Sequence, residues 1–331
     1  MKNLELILPF SIPPAGLAKD LLAACHADAL ARMLAGAAAP ERRSYPEFAK
    51  ALPHEYWLSN ADSVESDAAT APACAHQLMQ SLGITVPHGY WFVLQPVHLH
   101  VARDHLVLTD TRQLVLTDSQ ARALYASAER LCREVGQELL YGDAKTWFLR
   151  ADAWSDLQTA TSDAACGHNI DIWMPSGEAA RAWRKLQNEI QMEWYIDEVN
   201  EQRAARGERT VNSLWLSGGS AALQPASRQL AQAENAASLL ASADSLSVVL
   251  QDSLSSAALN GDWNQWLIEW EKLEQAWFLP LEQALKQGQL QQWRLVCSDA
   301  RQIACFTIPA RSWRRLWTSP SLRKLFFLGA A

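Results

Sequence analysis

The sequence predicts an α/β protein, with a mixed, mostly parallel core sheet flanked by helices and a small inserted α+β domain. Three observations predict it. Short apolar runs that read as buried strands stand near both ends of the chain, at Leu4–Leu8, Leu246–Leu250 and Trp293–Cys297. Long helical patterns alternate with those runs, as in a layered α/β core. Between residues 90 and 175 the chain changes character to several short β-prone runs around one helix. The core is therefore assigned to 1–89 with 176–331, and the insertion to 90–175.

Each element follows from its own residues. Leu4–Leu8 is a strand closed by Pro9, and Ala15–Ala39 is a helix ended by Gly36 and Pro40. A short helix is expected at Pro46–Leu52, a loop at Asn60–Thr70, and a helix at Pro72–Leu82 that starts on proline and stops at Gly83. Tyr90–Leu94, Val97–Val101, His105–Thr109 and Gln113–Leu116 read as strands. They precede a helix from Asp118 to about Val135, a strand at Lys145–Leu149 and a polar connection, Ala151–Ile170. The longest helical pattern runs from Ser176 to Arg206, with Trp183, Leu186, Ile190 and Trp194 three or four apart on one face. Asn212–Leu216 is a strand that enters Ser217-Gly218-Gly219-Ser220. Ala221–Ala243 reads as a linker or weakly packed helix, Asp262–Lys286 as a helix kinked at Pro280, and Cys305–Ile308 as a last strand.

Composition excludes several classes. With 36 acidic against 29 basic residues and a net charge of −7, the chain lacks the basic balance of a dedicated nucleic-acid binder, and none is expected as a partner. No apolar run approaches the roughly 18 residues of a membrane span. The N-terminal run carries Glu5 and lacks a small-residue cleavage site, so it reads as a strand and not a signal peptide. Six cysteines without a CxxC pair fit buried thiols of a reducing cytoplasm, the expected location. The 15 tryptophans outnumber 8 Phe and 6 Tyr. Trp263, Trp266, Trp270 and Trp277 recur at helical spacing, so most of the excess reads as packing.

Few patterns carry chemistry. His98 and His100 alternate on a strand near Asp104 and His105 and thus share a face, but no further ligand cluster completes a metal set. They read as structural. The Ser217–Ser220 turn follows a strand, where backbone amides can hold an anion, yet it is neither a P-loop nor GxGxxG. No GxSxG elbow surrounds Ser11, and Cys166-Gly167-His168 lies in a polar loop without an orienting group. From Arg301 onward six basic residues and no acid occur, with Trp313, Trp317, Phe326 and Phe327 among them. Arg311–Lys324 is thus a candidate for peripheral contact with a membrane or nucleic acid, against a plain C-terminal helix with inward aromatics.

Three stretches together carry a resemblance. They are Pro96-Val97-His98-Leu99 with Arg103–Leu108, then Ser176 through Val199-Asn200 and Arg203 to Asn212 and Trp215–Gly219, and Gly261-Asp262-Trp263 with Trp277–Leu281. In that combination the chain resembles the bacterial RpfE-type regulatory proteins. That family is similar to the archaeal-type cofactor-independent phosphoglycerate mutases of the alkaline phosphatase superfamily. The resemblance implies an alkaline-phosphatase-like core and a surviving pocket at Asn200, Arg203, Asn212, Gly218 and Gly219, with Arg203 as anion partner and the glycines as backbone donors.

The departures from that pattern decide the expected function. The mutases end their first strand in an Asp-Gly metal turn, where this chain has Leu8-Pro9-Phe10-Ser11. Their later Asp and His ligands are reduced to Asp252 and Asp299, and no His follows His168. Two-metal phosphoryl transfer needs several convergent ligands. The expectation is a degenerate, non-catalytic regulatory protein that binds a protein partner or a small anionic metabolite and uses no cofactor. The alternative is a metal-dependent phosphomutase or phosphatase that recruits Asp252, Asp299, His98 and His100.

Overall fold

A computed structural model of the chain describes residues 3–59, 68–85, 88–222, 230–241 and 246–328. Within them the strands are β1 Asn3–Leu8, β2 Glu41–Ser44, β3 Trp91–Val97, β4 Leu99–Ala102, β5 His105–Leu108, β6 Glu138–Tyr141, β7 Trp147–Arg150, β8 Ser213–Ser220, β9 Leu246–Leu250, β10 Gln292–Ser298 and β11 Gln302–Pro309. The fold is mixed α/β, and the chain divides into two compact units, 1–45 with 228–331, and 46–227.

The first unit holds a five-stranded mixed sheet in the order β2-β11-β10-β1-β9. β1 runs parallel to both neighbours, with Glu5 opposite Arg294 on one side and Val248 on the other. β10–β11 and β11–β2 are antiparallel. A mostly parallel sheet is therefore correct for one half only. The chain passes from β10 to β11 through a tight turn at Asp299–Arg301, and a turn that short returns the strand antiparallel. The edge strand β2 reads Glu-Arg-Arg-Ser, with no apolar alternation to betray it.

Leu4, Leu6 and Leu8 point to one face, as the two-residue period requires. There they pack with Leu295, Cys297 and Phe306 beneath the helices Asp28–Ala35, Trp263–Leu273 and Leu279–Lys286. The expected helix over Ala15–Ala39 is two, Ala18–Ala24 and Asp28–Ala35, because Cys25 takes an extended backbone between them. The expected helix to Lys286 is continuous. The break forced by Pro280, which has no N–H to donate, is absorbed by a π turn over Glu274–Phe278. Glu274 is buried there and accepts a 2.6 Å bond from the Ala29 amide, capping a helix whose own N-cap, Ala27, has no side-chain acceptor.

The second unit is built on an antiparallel sheet, β6-β7-β3-β8, with β4–β5 as a separate hairpin. Phe92, Leu94, Trp147 and Leu149 face the helices Asp118–Glu134 and Ala180–Tyr195. The alternate residues Trp91, Val93 and Phe148 face the helix Ala75–Ser81. These units break at 45/46 and 227/228, whereas the division read from sequence is 89/90 and 175/176. The pairing of β3 with β8 is the reason, since it ties 213–220 to the middle of the chain.

Other differences are local. The helical pattern Ser176–Arg206 contains two helices, Ala180–Tyr195 and Glu198–Ala205, and Asp197 caps the second through the Val199 amide at 2.8 Å. The short helix expected at Pro46–Leu52 is Pro53–Leu58, with proline in its first turn. Gln113 lies in a 3₁₀ turn, Thr111–Gln113, in place of a strand. The expected loop at Asn60–Thr70 and linker at Ala221–Ala243 fall partly outside the described residues, although a helix spans Ala236–Ala241. All six cysteines are free. Among the described residues no helix is long and apolar enough to cross a membrane.

Candidate functional site

The segment singled out for an anion pocket turns out to brace the second unit. Asn200 is buried; its amide nitrogen donates to the Trp194 and Val211 carbonyls at 2.8 Å, and its oxygen accepts from the Val211 amide at 2.8 Å. Arg203 is only 2% exposed. Its guanidinium donates to the Arg209 carbonyl at 2.8 Å, the Val115 carbonyl at 2.8 Å and Gln120 Oε1 at 2.9 Å, with Glu208 at 3.3 Å. Asn212 pairs with both backbone groups of Leu99, at 2.8 and 2.7 Å. Gly218 and Gly219 lie inside β8 at a register shift opposite β3, which is a β-bulge. Gly218 has φ +64°, and a Cβ there would sit 2.4 Å from Cys74 Sγ. At Gly219 a Cβ would lie 2.6 Å from Phe92 Cε1. Packing thus accounts for both glycines.

The metal and nucleophile candidates remain dispersed. His98 Nδ1 is 2.8 Å from the Thr210 carbonyl, and burial pushes this imidazole's pKa down. His100 Nδ1 lies 3.4 Å from Thr109 Oγ1, and His105 pairs with Asp104 at 3.0 Å on the surface. Asp299 spends its carboxylate on the β10–β11 turn, accepting from the Arg301 and Gln302 amides at 2.7 and 2.9 Å. Asp252 is the exposed N-cap residue of the helix Ser253–Leu259. Among the described residues no group of three or more His, Cys, Asp or Glu side chains is placed to hold a metal ion. Ser11 is fully buried and donates to the Leu8 carbonyl at 2.6 Å. Burial pushes the Cys166 thiol up to about 12, which keeps it protonated. Ser220 and His76 form a 2.7 Å pair that sequence reading missed, but both residues are 3% exposed, out of reach of a substrate.

An open cleft of about 630 Å³ lies elsewhere in the second unit, lined among others by Lys50, Asp171, Ser176, Glu178, Arg181 and Arg184. Local sequence explains its walls. Ile170–Ile172 forms a 3₁₀ turn that seats Trp173 in the interior, and the Lys50 ammonium sits 5.3 Å from that indole's centre while donating to the Ile172 carbonyl. Burial pushes the Lys50 pKa down. Gly177, at φ +125°, turns the chain against Asp156, whose carboxylate accepts from the Glu178 amide at 2.8 Å. The helix Ala180–Tyr195 then begins at the cleft without a side-chain cap and without an acid in its first turn.

That arrangement is electrostatically unusual. The N-terminus of a helix carries partial positive charge and favours acidic neighbours. Here Arg181 and Arg184 occupy it, and among the described residues neither guanidinium has an ion-pair or hydrogen-bond partner. An anion in the cleft would meet Arg181 and Arg184 beside the helix start and would have to avoid the Asp171 and Glu178 carboxylates of the same lining. The volume falls in the range of small-molecule sites, roughly 300–1,000 Å³. The readable signal was the order Ser-Gly-Glu followed by Arg181 and Arg184, basic residues where a helix start ordinarily carries acids.

A half-buried acid gives this unit a pH dependence. Glu55 accepts from the Leu52 amide at 2.6 Å and from Thr161 Oγ1 at 2.7 Å. Burial, with Asp163 nearby, raises its pKa from 4.5 to about 8. Between those values the folded state keeps a proton that the unfolded chain releases, so stability falls as pH rises, by up to about 1.4 kcal/mol per unit. Glu55→Gln is expected to flatten that slope in urea titrations at pH 5, 6, 7 and 8. An unchanged slope would assign the pH dependence to other groups.

No protein-family model matches the sequence, and no curated protein matches it. Among solved structures, the PH0037 protein from Pyrococcus horikoshii superposes with a TM-score of 0.53 at 9% identity, covering 98% of this chain and 91% of that one. A cofactor-independent phosphoglycerate mutase from Thermoplasma acidophilum DSM 1728 aligns at TM-score 0.39 and 12% identity, covering 93% and 90%. The first likeness shows a shared fold and nothing more; the second is too low to add to it.

Proposed function

We propose that this chain is a degenerate, non-catalytic relative of the phosphoglycerate mutases, an RpfE-type regulatory protein on an alkaline-phosphatase-like frame that binds a small anionic metabolite. The observation that carries the binding is the cleft where Arg181 and Arg184, unpaired among the described residues, meet an uncapped helix start. The proposed pocket thus moves from Arg203, which is enclosed by protein acceptors, to this cleft. Non-catalytic character is supported by Phe10 and Ser11 in place of an acid after β1 and by the buried state of Ser11 and Cys166. The turn after β1 is itself constrained, since Phe10 adopts φ +55°, a conformation that favours glycine.

The test is thermal unfolding with inorganic phosphate and with a phosphorylated three-carbon acid. At a hundredfold excess over Kd, binding stabilises by about 2.7 kcal/mol, a rise of several degrees in Tm. Arg181→Ala/Arg184→Ala is expected to abolish the rise while leaving the unliganded Tm within about 1 °C, because both side chains are exposed. Two tightly bound divalent ions in purified protein, or phosphatase activity that disappears in Asp252→Ala, would overturn the non-catalytic reading.

A further inference from the structure

The protein hides nearly all of its tryptophan. Twelve of the 15 are buried and Trp263 is half-buried, yet Trp313 and Trp317 are 68% and 81% exposed. Leu316, between them, is 80% exposed. The three side chains sit on a defined turn. Trp313–Leu316 is a 3₁₀ segment whose N-cap, Ser312, accepts from the Arg314 amide at 3.3 Å, and the Trp317 and Thr318 amides both donate to the Arg314 carbonyl at 3.0 Å. Behind it, Leu322, Leu325 and Phe326 are buried in the first unit's core, and Lys324 caps the helix Asp28–Ala35 through the Leu34 and Ala37 carbonyls. The expected basic aromatic helix is thus divided: Phe326 anchors the segment inward, and the tryptophans are presented outward.

Charge selects what the turn can meet. Arg311, Arg314 and Arg323 are exposed, and among the described residues none has a carboxylate partner. No acid occurs between Arg301 and the last residue. Arg314 and Arg323 lie over the Trp313 and Phe327 rings at 5.3 and 5.2 Å, which keeps each cation beside an aromatic face. A second exposed apolar group, Met192, Tyr195 and Ile196, is flanked by Glu189, Glu193, Asp197 and Glu198 and would be repelled by an anionic surface.

We infer that the Trp313–Trp317 turn is a docking element for an anionic lipid bilayer. Indole rings and a leucine enter the headgroup boundary, where amphipathic aromatics partition, and the flanking arginines meet lipid phosphates. A bilayer fits better than a single-stranded nucleic acid, because Leu316 offers no stacking face and the basic patch is only a few residues long. The contact is peripheral and reversible, and it is independent of the metabolite cleft.

Co-sedimentation of the full chain with vesicles tests it, comparing pure phosphatidylcholine with a 70:30 mixture of phosphatidylcholine and phosphatidylglycerol. Binding to the anionic vesicles is expected to exceed binding to neutral ones at least tenfold and to fall steeply in 0.5 M salt. Trp313→Ala/Trp317→Ala is expected to lower partitioning by roughly tenfold or more, and Arg311→Ala/Arg314→Ala by about fivefold for each arginine. Both variants should keep the parental Tm, since none of these side chains is in the core. Absence of anionic-vesicle binding, or binding undiminished in both variants, overturns the inference. So does oligonucleotide binding or dimerisation that is lost in the Trp variant without any vesicle binding.

Discussion

Arg203→Ala is expected to destabilise the second unit by about 2–3 kcal/mol, because it removes a buried guanidinium whose charged hydrogen bonds tie three separate stretches of the chain together. The carbonyls of Arg209 and Val115 and the Gln120 oxygen all lose a charged donor, and water at these partly exposed acceptors replaces the hydrogen bonds but not the link between the three stretches. Burial already lowers the guanidinium's pKa, with Glu208 opposing, so the charge is held at a cost that its hydrogen bonds offset. Lysine should rescue little, since a single ammonium cannot reproduce a planar fork that serves three acceptors. Guanidinium denaturation followed by circular dichroism should show a lower midpoint at an unchanged slope. Phosphate affinity of the folded fraction should stay where it was. The opposite pattern, full stability with binding abolished, would return Arg203 to the role of anion partner.

What could be read from the sequence follows from which signals are local. β1, β9 and β10 are apolar runs that need no partner to be recognised, and they form the parallel half of the first sheet. β2 and β6 were missed for the complementary reason: Glu41–Ser44 is an exposed, charged edge strand, and Glu138–Tyr141 is too short to show a period. Breaks in long helical patterns were also missed. The interruption at Ile196–Asp197 rests on a capping side chain that competes with the helix, a preference that periodicity does not weigh. The candidate site was the least legible part. Asn200, Arg203 and Asn212 have the residue types of a polar pocket, but residue type does not reveal whether a backbone carbonyl far away in sequence already occupies the donor. Val115 and Leu99 do so here. Lys50, by contrast, comes to the cleft from more than a hundred residues before Arg181, through tertiary structure alone.

The tryptophans allow a sharper comparison, because two neighbours in one cluster differ in a single hydrogen bond. Trp270 is fully buried, with its ring 5.6 Å from Trp266, 5.9 Å from Phe278 and 6.0 Å from Phe326. Trp270→Ala is expected to cost the first unit about 3–5 kcal/mol, from lost apolar burial and the cavity left among rigid rings. Its indole N–H has no partner among the described residues, so Trp270→Phe removes volume but no hydrogen bond. Trp266 lies in the same cluster and donates from Nε1 to the Phe10 carbonyl at 2.9 Å. That carbonyl belongs to the left-handed residue after β1, so the bond helps to hold a turn the backbone disfavours. Trp266→Phe should therefore cost about 1–2 kcal/mol more than Trp270→Phe, although the two substitutions delete the same atoms. Equal losses in guanidinium titrations would mean that the turn after β1 is held by packing alone. A larger loss at Trp266 would show that an indole chosen for its bulk in one position is required for its N–H four residues earlier.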